Sequence, residues 1–202
     1  MILTNRPLTS RVYKLGHVSF TFYGAYAIVV KVDGVTKTVD IINTTLGLSQ
    51  LHVPSSEFVN GSRLTVQFTL DAVVTTYTIN IVKTCYPEYY TLAWLNENGG
   101  IDHYTFYCNA SSSLETEKDS IYTQSGEKDI NINSSFVRSI YSDIESSGVR
   151  LWLSELAQSP LVWRIDTLER VYISDYNISF SRDIEQMSIT FRNAIKKRLQ
   201  RL

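Results

Sequence analysis

Alternation of apolar and polar residues is the main pattern in the first 84 positions of the chain. It runs through residues 18–23, 63–70 and 76–82, so each segment has one apolar and one polar face, as a half-buried β-strand does. Asn60-Gly61 supplies a turn before the second of these segments. Strands at a spacing of roughly ten residues, with turn signals between them, are typical of a small antiparallel sandwich. We therefore predict an antiparallel β-sandwich over residues 1–84.

One hairpin can be predicted within this segment. Residues 26–32 form a mostly apolar run that ends at Asp33-Gly34, and this dipeptide is a strong signal for a two-residue turn. We expect residues 39–42, which are again mostly apolar, to be the strand that returns. No helical periodicity is found in this part of the sequence.

A domain boundary is expected at Cys85-Tyr86-Pro87-Glu88, because its proline interrupts a strand-rich stretch. Residues 85–202 are predicted to form a second, β-rich domain. This domain begins with a hairpin, in which residues 89–95 and 103–107 flank the turn at 96–100. Further short strands are predicted at residues 114–118, 130–132, 161–165, 170–174 and 186–192.

One segment of the second domain has a helical period instead. Apolar residues recur at the spacing of one helix face at Val149, Trp152, Leu153 and Leu156. This spacing predicts a single amphipathic helix over about 146–158, which the following proline ends. The predicted fold class is therefore mainly β, with an antiparallel β-sandwich N-terminal domain and a β-rich C-terminal domain that carries one amphipathic helix.

Composition excludes several classes of protein. Of the 202 residues, 44% are apolar and 19% are charged, which suits a buried core and is unlike a disordered chain. The net charge of −1 argues against the whole chain being a nucleic-acid-binding protein. No apolar run reaches the ~20 residues of a membrane-spanning helix. The chain has two cysteines and begins without the features of a signal peptide, so we expect it to fold in a reducing, intracellular compartment.

The two predicted domains have opposite net charge. Residues 1–84 carry seven basic and four acidic side chains (+3), whereas residues 85–202 carry twelve basic and sixteen acidic ones (−4). Opposite charges suit domains that stack on copies of each other. The last ten residues contain no acidic side chain and four basic ones, Lys196, Lys197, Arg198 and Arg201. We expect this tail to pair with an acidic neighbour during assembly, and contact with DNA phosphates is the alternative.

The candidate catalytic residues do not form a recognisable motif. Asp102-His103 lies in a sequence without a nucleophile elbow, and we expect His103 to be a packing histidine. Three histidines and two cysteines lack the short spacings of a zinc site, and no glycine-rich phosphate loop is present. Glu115, Glu117 and Asp119 share one strand face, where a charged edge strand is favoured over a paired-carboxylate glycosidase site. We expect no enzymatic activity, no cofactor and no metal.

The segment from Trp94 to Phe106 reads Trp-Leu-Asn-Glu-Asn-Gly-Gly-Ile-Asp-His-Tyr-Thr-Phe. It resembles the Trp-Leu-Asn-x-x-Gly-Gly-x-Asp-x-Tyr-x-Phe signature of structural tail proteins in phages that infect Bacteroidetes, including crAss-like phages. The later order of elements, an acidic and aromatic strand and then a helix that contains Trp152, also matches. The resemblance spans about residues 89–192. Its signature residues are Trp94, Asn96, Gly99, Gly100, Asp102, Tyr104 and Phe106.

These signature residues make physical sense as architecture. One glycine of the adjacent pair is expected to need a positive φ. Trp94 and Phe106 are expected to pack across the hairpin. Asn96 and Asp102 are expected to hydrogen-bond the amides of the loop.

The resemblance implies a virion component of the tail or neck that forms a ring or collar from copies of itself. It further implies contacts with other phage tail or neck proteins, synthesis in the host cytoplasm, and no active site or membrane span. Two alternatives stay open on the residues alone. One is a tail adaptor or a module that binds a host glycan through exposed tyrosines. The other is a small cell-wall hydrolase that uses Glu115 or Asp102.

Overall fold

The computed structural model describes residues 1–13, 16–43, 47–83, 89–107, 112–124, 126–143, 145–180 and 185–193. Over these residues the protein is mainly β, as the sequence predicts, with fifteen strands, one α-helix and a single 3-10 turn at Ser55–Glu57. No described helix has the length and apolar composition needed to cross a membrane. The strand ladders of residues 1–83 (the N-terminal half) and of residues 89–193 (the C-terminal half) do not mix among the described residues.

Two sheets form the N-terminal half. Its strands are β1 (Thr9–Tyr13), β2 (Val18–Tyr23), β3 (Ala27–Val32), β4 (Val35–Lys37), β5 (Asp40–Asn43), β6 (Leu48–Val53), β7 (Arg63–Leu70) and β8 (Val73–Val82). One sheet has the order β1-β8-β7-β3-β4 and the other has the order β2-β6-β5. Every ladder is antiparallel except β1–β8, which is parallel.

Side chains from both sheets share one hydrophobic core, so the predicted sandwich is confirmed. Phe20 and Leu51 contribute from the three-stranded sheet, and Leu64, Val66 and Ile79 contribute from the five-stranded sheet. All five are fully buried. Phe20 is also within ring-contact distance of Phe68 of the opposite sheet, with 5.5 Å between centroids. The alternation in β7 therefore marks the inner face of its sheet.

The hairpin at Asp33-Gly34 forms as predicted, but its returning strand is not the predicted one. Asp33 and Gly34 have φ values of 49° and 82°, and Val32 pairs directly with Val35. A two-residue turn sets the register from the very next residue, so the returning strand is β4, which ends at Lys37. The predicted strand at residues 39–42 instead corresponds to β5, which pairs with β6 in the other sheet.

A single sheet forms the C-terminal half. Its strands are β9 (Tyr89–Leu95), β10 (Ile101–Tyr107), β11 (Ser112–Thr123), β12 (Gly126–Tyr141), β13 (Val162–Arg164), β14 (Arg170–Phe180) and β15 (Glu185–Asn193). Their order is β10-β9-β13-β14-β15-β12-β11. A further pair between β10 and β12, at Tyr107 and Tyr141, closes the sheet on itself.

The predicted helix is confirmed as α1 (Ser147–Gln158). Its N-cap is Ser146 and its C-cap is Ser159. The four apolar residues that predicted it are all buried and belong to the second hydrophobic core, together with the inner residues of β9, β10, β12 and β15. The helix therefore stabilises this half by burying one apolar face against the closed sheet.

Strands β11 and β12 are much longer than the predicted short strands at 114–118 and 130–132. Every described side chain of β11 between residues 113 and 123 is exposed, so the hairpin has no apolar face from which its length could be read. Glu115, Glu117 and Asp119 lie on β11, the outermost strand in the sheet order, as predicted. Two predicted features, the boundary at residues 85–88 and the basic tail from Lys196, lie outside the described residues.

We predict that Ala72→Gly stabilises the protein by about 1 kcal/mol. Asp71 and Ala72 link β7 to β8 with φ values of 48° and 67°, a conformation that strains a residue with a Cβ atom. Urea unfolding measures the change. The matched control is Ala27→Gly in β3, where φ is not positive. There the added backbone freedom of glycine should destabilise the protein by about 0.5–1 kcal/mol. Equal destabilisation by both substitutions would contradict this explanation.

Candidate functional site: a buried carboxylate between the two halves

The turn between β9 and β10 is organised by the side chain of Asn96. Its Oδ1 accepts hydrogen bonds from the amides of Asn98 (3.1 Å) and Gly100 (2.8 Å), as the sequence predicts. The Asn96 amide donates to the Gly100 carbonyl at 2.9 Å. Gly99 takes the positive φ that one of the two glycines was expected to need, at 77°. The turn is therefore held by its own polar groups.

Asp102 follows this turn on β10, opposite Trp94 of β9, and is 1% exposed. Its carboxylate accepts hydrogen bonds from four donors, none of them a backbone amide of the loop. The donors are the Thr4 hydroxyl, the Asn5 amide (3.0 Å), Asn96 Nδ2 (3.0 Å) and Trp152 Nε1 (2.9 Å). The prediction that Asp102 bonds the loop amides is wrong, because Asn96 already satisfies them and Asp102 lies on the strand face that packs under α1.

The name Asp102 centre is used below for the carboxylate and its donors, which are Thr4, Asn5, Asn96, Asp102 and Trp152. They come from the N-terminal segment, the β9–β10 turn and α1, which lie far apart in the sequence. One donor reaches Oδ1 and three reach Oδ2, so both oxygens of the carboxylate are occupied. A buried charge is tolerated only when it is paired and hydrogen-bonded, so the centre depends on all of these donors together.

Arg6 supplies the positive charge beside the Asp102 centre. It is 5% exposed, donates to the His103 carbonyl at 3.1 Å and lies over the Trp152 ring, 5.0 Å from its centroid. Burial lowers the pKa of Arg6 to about 10, while the charges of Asp102 and Glu145 oppose that change. The guanidinium therefore stays protonated at neutral pH and compensates the buried carboxylates.

The N-terminal segment, residues 1–8, lies between the strands of the two halves and bonds to both. The Leu3 amide donates to the Thr21 carbonyl of β2 at 2.9 Å, and the Leu3 carbonyl accepts from Asn96 Nδ2 at 2.7 Å. A Cβ atom on Gly100 would lie 2.7 Å from the Leu3 carbonyl oxygen. Gly100 is thus needed for close approach of the backbones, whereas its neighbour Gly99 is needed for its φ.

Aromatic rings surround the Asp102 centre on the core side. Trp94 and Trp152 have ring centroids 5.2 Å apart, and Tyr104 and Phe106 have centroids 4.8 Å apart. The predicted cross-hairpin pair of Trp94 and Phe106 is wrong, because the register puts Trp94 opposite Asp102 and Phe106 opposite Tyr90. Both rings are nevertheless fully buried in the same core.

The phenol of Tyr104 extends this network to the segment before α1. Its hydroxyl donates to Glu145 at 2.8 Å, and both residues are about 5% exposed. Burial and the neighbouring Glu145 raise the pKa of Tyr104 well above its usual 10, and burial also raises the pKa of Glu145. The pair therefore shares a hydrogen bond in a dry environment.

The opposite face of β10 packs against the N-terminal half. His103 is 1% exposed, and its Nε2–H donates to the His17 carbonyl at 2.7 Å. Because that nitrogen must carry the proton, Nδ1 accepts from the Ser19 hydroxyl at 3.2 Å. On the same face Ile101 and Thr21 exchange hydrogen bonds at 3.2 and 3.4 Å. One strand thus contributes to both the carboxylate centre and the histidine contact.

All three histidines of the chain meet at this interface. The His17 ring lies 5.9 Å from the His52 ring and 6.4 Å from the His103 ring. Burial and the charge of Arg6 lower the pKa of His103 well below 6.5, and burial and His52 lower the pKa of His17. No group of His, Cys, Asp or Glu with the arrangement of a metal site is found in the described part of the chain.

Sequence reasoning found the turn, Asp102 and Trp152 but missed their partners. Thr4, Asn5 and Arg6 lie in a segment without periodicity, and residues 1–8 contain no strand apart from one isolated bridge. The contacts between His103 and residues 17 and 19 join strands of different halves. Local sequence carries no signal for either set, because both arise from how the halves pack.

We predict different effects for alanine at the two glycines. Gly99→Ala should cost about 1 kcal/mol, because only its φ is strained and no atom lies within 4 Å of the new Cβ. Gly100→Ala should cost about 3 kcal/mol, because its Cβ would overlap backbone atoms of Leu3. Denaturant unfolding of the two variants measures both values. A Gly100→Ala protein as stable as the wild type would contradict the close approach.

We also predict that acid weakens the protein through His103. The folded state keeps this ring neutral below pH 6.5 while the unfolded state takes up a proton, so the free energy of unfolding falls as pH drops. The slope is at most about 1.4 kcal/mol per pH unit for one histidine. Urea unfolding between pH 7 and 5 should show this slope in wild type relative to His103→Gln. The raised pKa values of Glu145 and Glu155 increase the free energy of unfolding as pH falls. Both proteins share this effect, so it cancels in the difference between them. A difference that does not change with pH would be the contrary result.

Comparison with protein-family models and with curated proteins finds no match to this sequence. Of the signature residues, Trp94, Asn96, Asp102, Tyr104 and Phe106 are at most 5% exposed. The signature and its surroundings form one buried, hydrogen-bonded centre that joins the two halves of the protein.

Proposed function

We propose that this protein is a structural virion component that forms a ring or collar in the tail or neck of a bacteriophage. Copies of the chain associate with each other and contact other tail or neck proteins. The observation that carries the proposal is that the segment resembling the tail-protein signature forms an interior joint between the two halves. Asp102 and Asn96 of the signature bond the N-terminal segment, so they hold two β-rich halves in one orientation. A fixed orientation is what a repeated subunit needs for a closed, symmetric assembly.

Two further features support assembly from copies. Strand β11 is the outermost strand in the described sheet order and its described side chains are exposed, so a neighbouring copy can reach it. The two halves also differ in charge, +3 against −4 over residues 1–84 and 85–202, which favours contacts between unlike ends of two copies.

The residues that a hydrolase would use are in positions that favour structure over catalysis. Asp102 is 1% exposed and its carboxylate is occupied by four donors. Glu115 forms an ion pair with Arg192 at 2.7 Å. A general acid or nucleophile needs access to its substrate, so the burial of Asp102 supports the structural role.

Two measurements test the proposal together. Purified virions of the phage that encodes the chain should contain the protein by mass spectrometry, and gold-labelled antibodies should mark the tail or neck. Negative-stain images of the purified chain at increasing concentration should show closed rings of one diameter. Absence of the protein from purified virions would contradict the proposal.

The basic tail offers a test of how the copies associate. Replacing Lys196, Lys197, Arg198 and Arg201 by glutamine should weaken assembly while leaving the melting temperature within a few degrees. If the tail contacts DNA in a tail lumen instead, assembly should survive and only genome delivery should fail. A matched control is Lys83→Gln, an exposed basic residue at the end of the N-terminal half.

A further inference from the structure

The hairpin of β11 and β12 extends beyond the closed sheet. Strand β12 pairs with β15 only from Val137 to Tyr141, so its earlier residues have β11 as their sole described partner. Ten residue pairs, from Leu114 opposite Phe136 to Thr123 opposite Gly126, form this two-stranded segment, called the β11–β12 ribbon. Its length is roughly 30 Å.

No described residue of the ribbon's β11 strand belongs to either hydrophobic core. All described side chains of its β11 strand are exposed, including Leu114 at 57% and Tyr122 at 84%. An isolated two-stranded hairpin is marginally stable in water. A surface that covers the ribbon would therefore stabilise it.

Charge indicates the kind of surface that fits. Residues 114–136 carry five acidic and two basic side chains, a net charge of −3. Glu115 and Asp119 fall on the same face of β11, because side chains alternate along a strand. Charged edge residues also discourage pairing of identical edges, so the ribbon is suited to docking on a basic face rather than on another ribbon.

The N-terminal half has such a face on its five-stranded sheet. The register puts Lys31, Thr65 and Thr78 in one outward-facing row, and Arg11, Arg63 and Asn80 in the next row. Three basic residues thus lie on two neighbouring rows, with threonine hydroxyls beside them. Arg11 is ion-paired with Asp143 at 3.6 Å, whereas Lys31 and Arg63 have no ion pair within 4 Å among the described residues.

We propose that the β11–β12 ribbon of one copy lies across this basic sheet face of the next copy. The inference rests on the proposed assembly from identical copies and names the two surfaces that meet. The contact is heterologous, since different surfaces of the same chain meet, and such contacts close into a ring when the rotation between copies allows it. Its attraction is electrostatic, so it weakens as salt is added.

A charge-exchange experiment on the full-length chain tests the pairing. One variant carries Glu117→Lys and Asp119→Lys in the ribbon, and the other carries Lys31→Glu and Arg63→Glu on the sheet face. Each variant alone places like charges on both surfaces, so its self-association should weaken at least tenfold in sedimentation velocity. A one-to-one mixture restores opposite charges at every contact and should recover association. Asp71→Lys, which reverses a charge in the exposed β7–β8 turn, six residues along the chain from Thr65, should associate like wild type.

The outcomes separate this inference from the proposed function. The ribbon contact would be overturned if wild type associates and neither variant changes that association. It would also be overturned if the mixture does not recover association. In both cases a ring assembled through other surfaces would remain possible. A wild type that stays monomeric in low salt up to its solubility limit would also overturn the contact, even if the protein is found in virions. Absence from virions would instead overturn the proposed function.

A second measurement covers the case in which a variant fails to fold. Wild-type chains with and without ¹⁵N are mixed and treated with a zero-length carbodiimide cross-linker. Mixed-isotope peptides should join Lys31 to an acidic residue of the ribbon. Mixed-isotope cross-links that exclude the ribbon would contradict the proposal.

Discussion

The structure depends on a charge that is almost completely removed from water. A buried carboxylate is destabilising unless donors and a compensating cation surround it, and Asp102 has four donors with Arg6 nearby. Those donors cannot be supplied locally. They come from the N-terminal segment, the β9–β10 turn and α1, so the carboxylate is satisfied only when both halves are folded and packed together. One side chain thereby makes the packing of the halves a requirement of the fold.

Strand β10 contacts both the Asp102 centre and the N-terminal half. Its core-facing residues bring Asp102 and Tyr104 under the helix, while the alternate residue His103 packs against β2 and the segment before it. Gly100 then allows the N-terminal segment to lie directly on the turn. Close packing on both faces leaves little freedom for one half to rotate against the other. That rigidity is the property that connects the interior of the molecule with the proposed assembly.

Much of the fold could be predicted from periodicity, and most of the site could not. Strands β2 and β7 and helix α1 each have an apolar face that the local sequence reveals. The sequence predicts residues 39–42 as the returning strand of the Asp33-Gly34 hairpin, although they pair in the other sheet, because an apolar run does not show which strand it joins. The ribbon was predicted too short because a strand exposed on its described faces has no apolar period. Asp102 was selected through its motif, but its partners Thr4 and Asn5 lie in a segment with no pattern, and only tertiary packing brings them to it.

The most direct test of the Asp102 centre is hydrogen exchange measured by mass spectrometry on Asp102→Asn. Asparagine has nearly the same shape, but it removes the charge and replaces one acceptor oxygen with an NH2 donor that faces the other donors. We predict that residues 1–6, 96–104 and 147–156 lose protection together, while β7 and β8 keep theirs. The control Asp71→Asn makes the same chemical change in an exposed turn and should leave all of these segments protected. Wild-type protection of all three segments in Asp102→Asn would contradict the role assigned to this carboxylate.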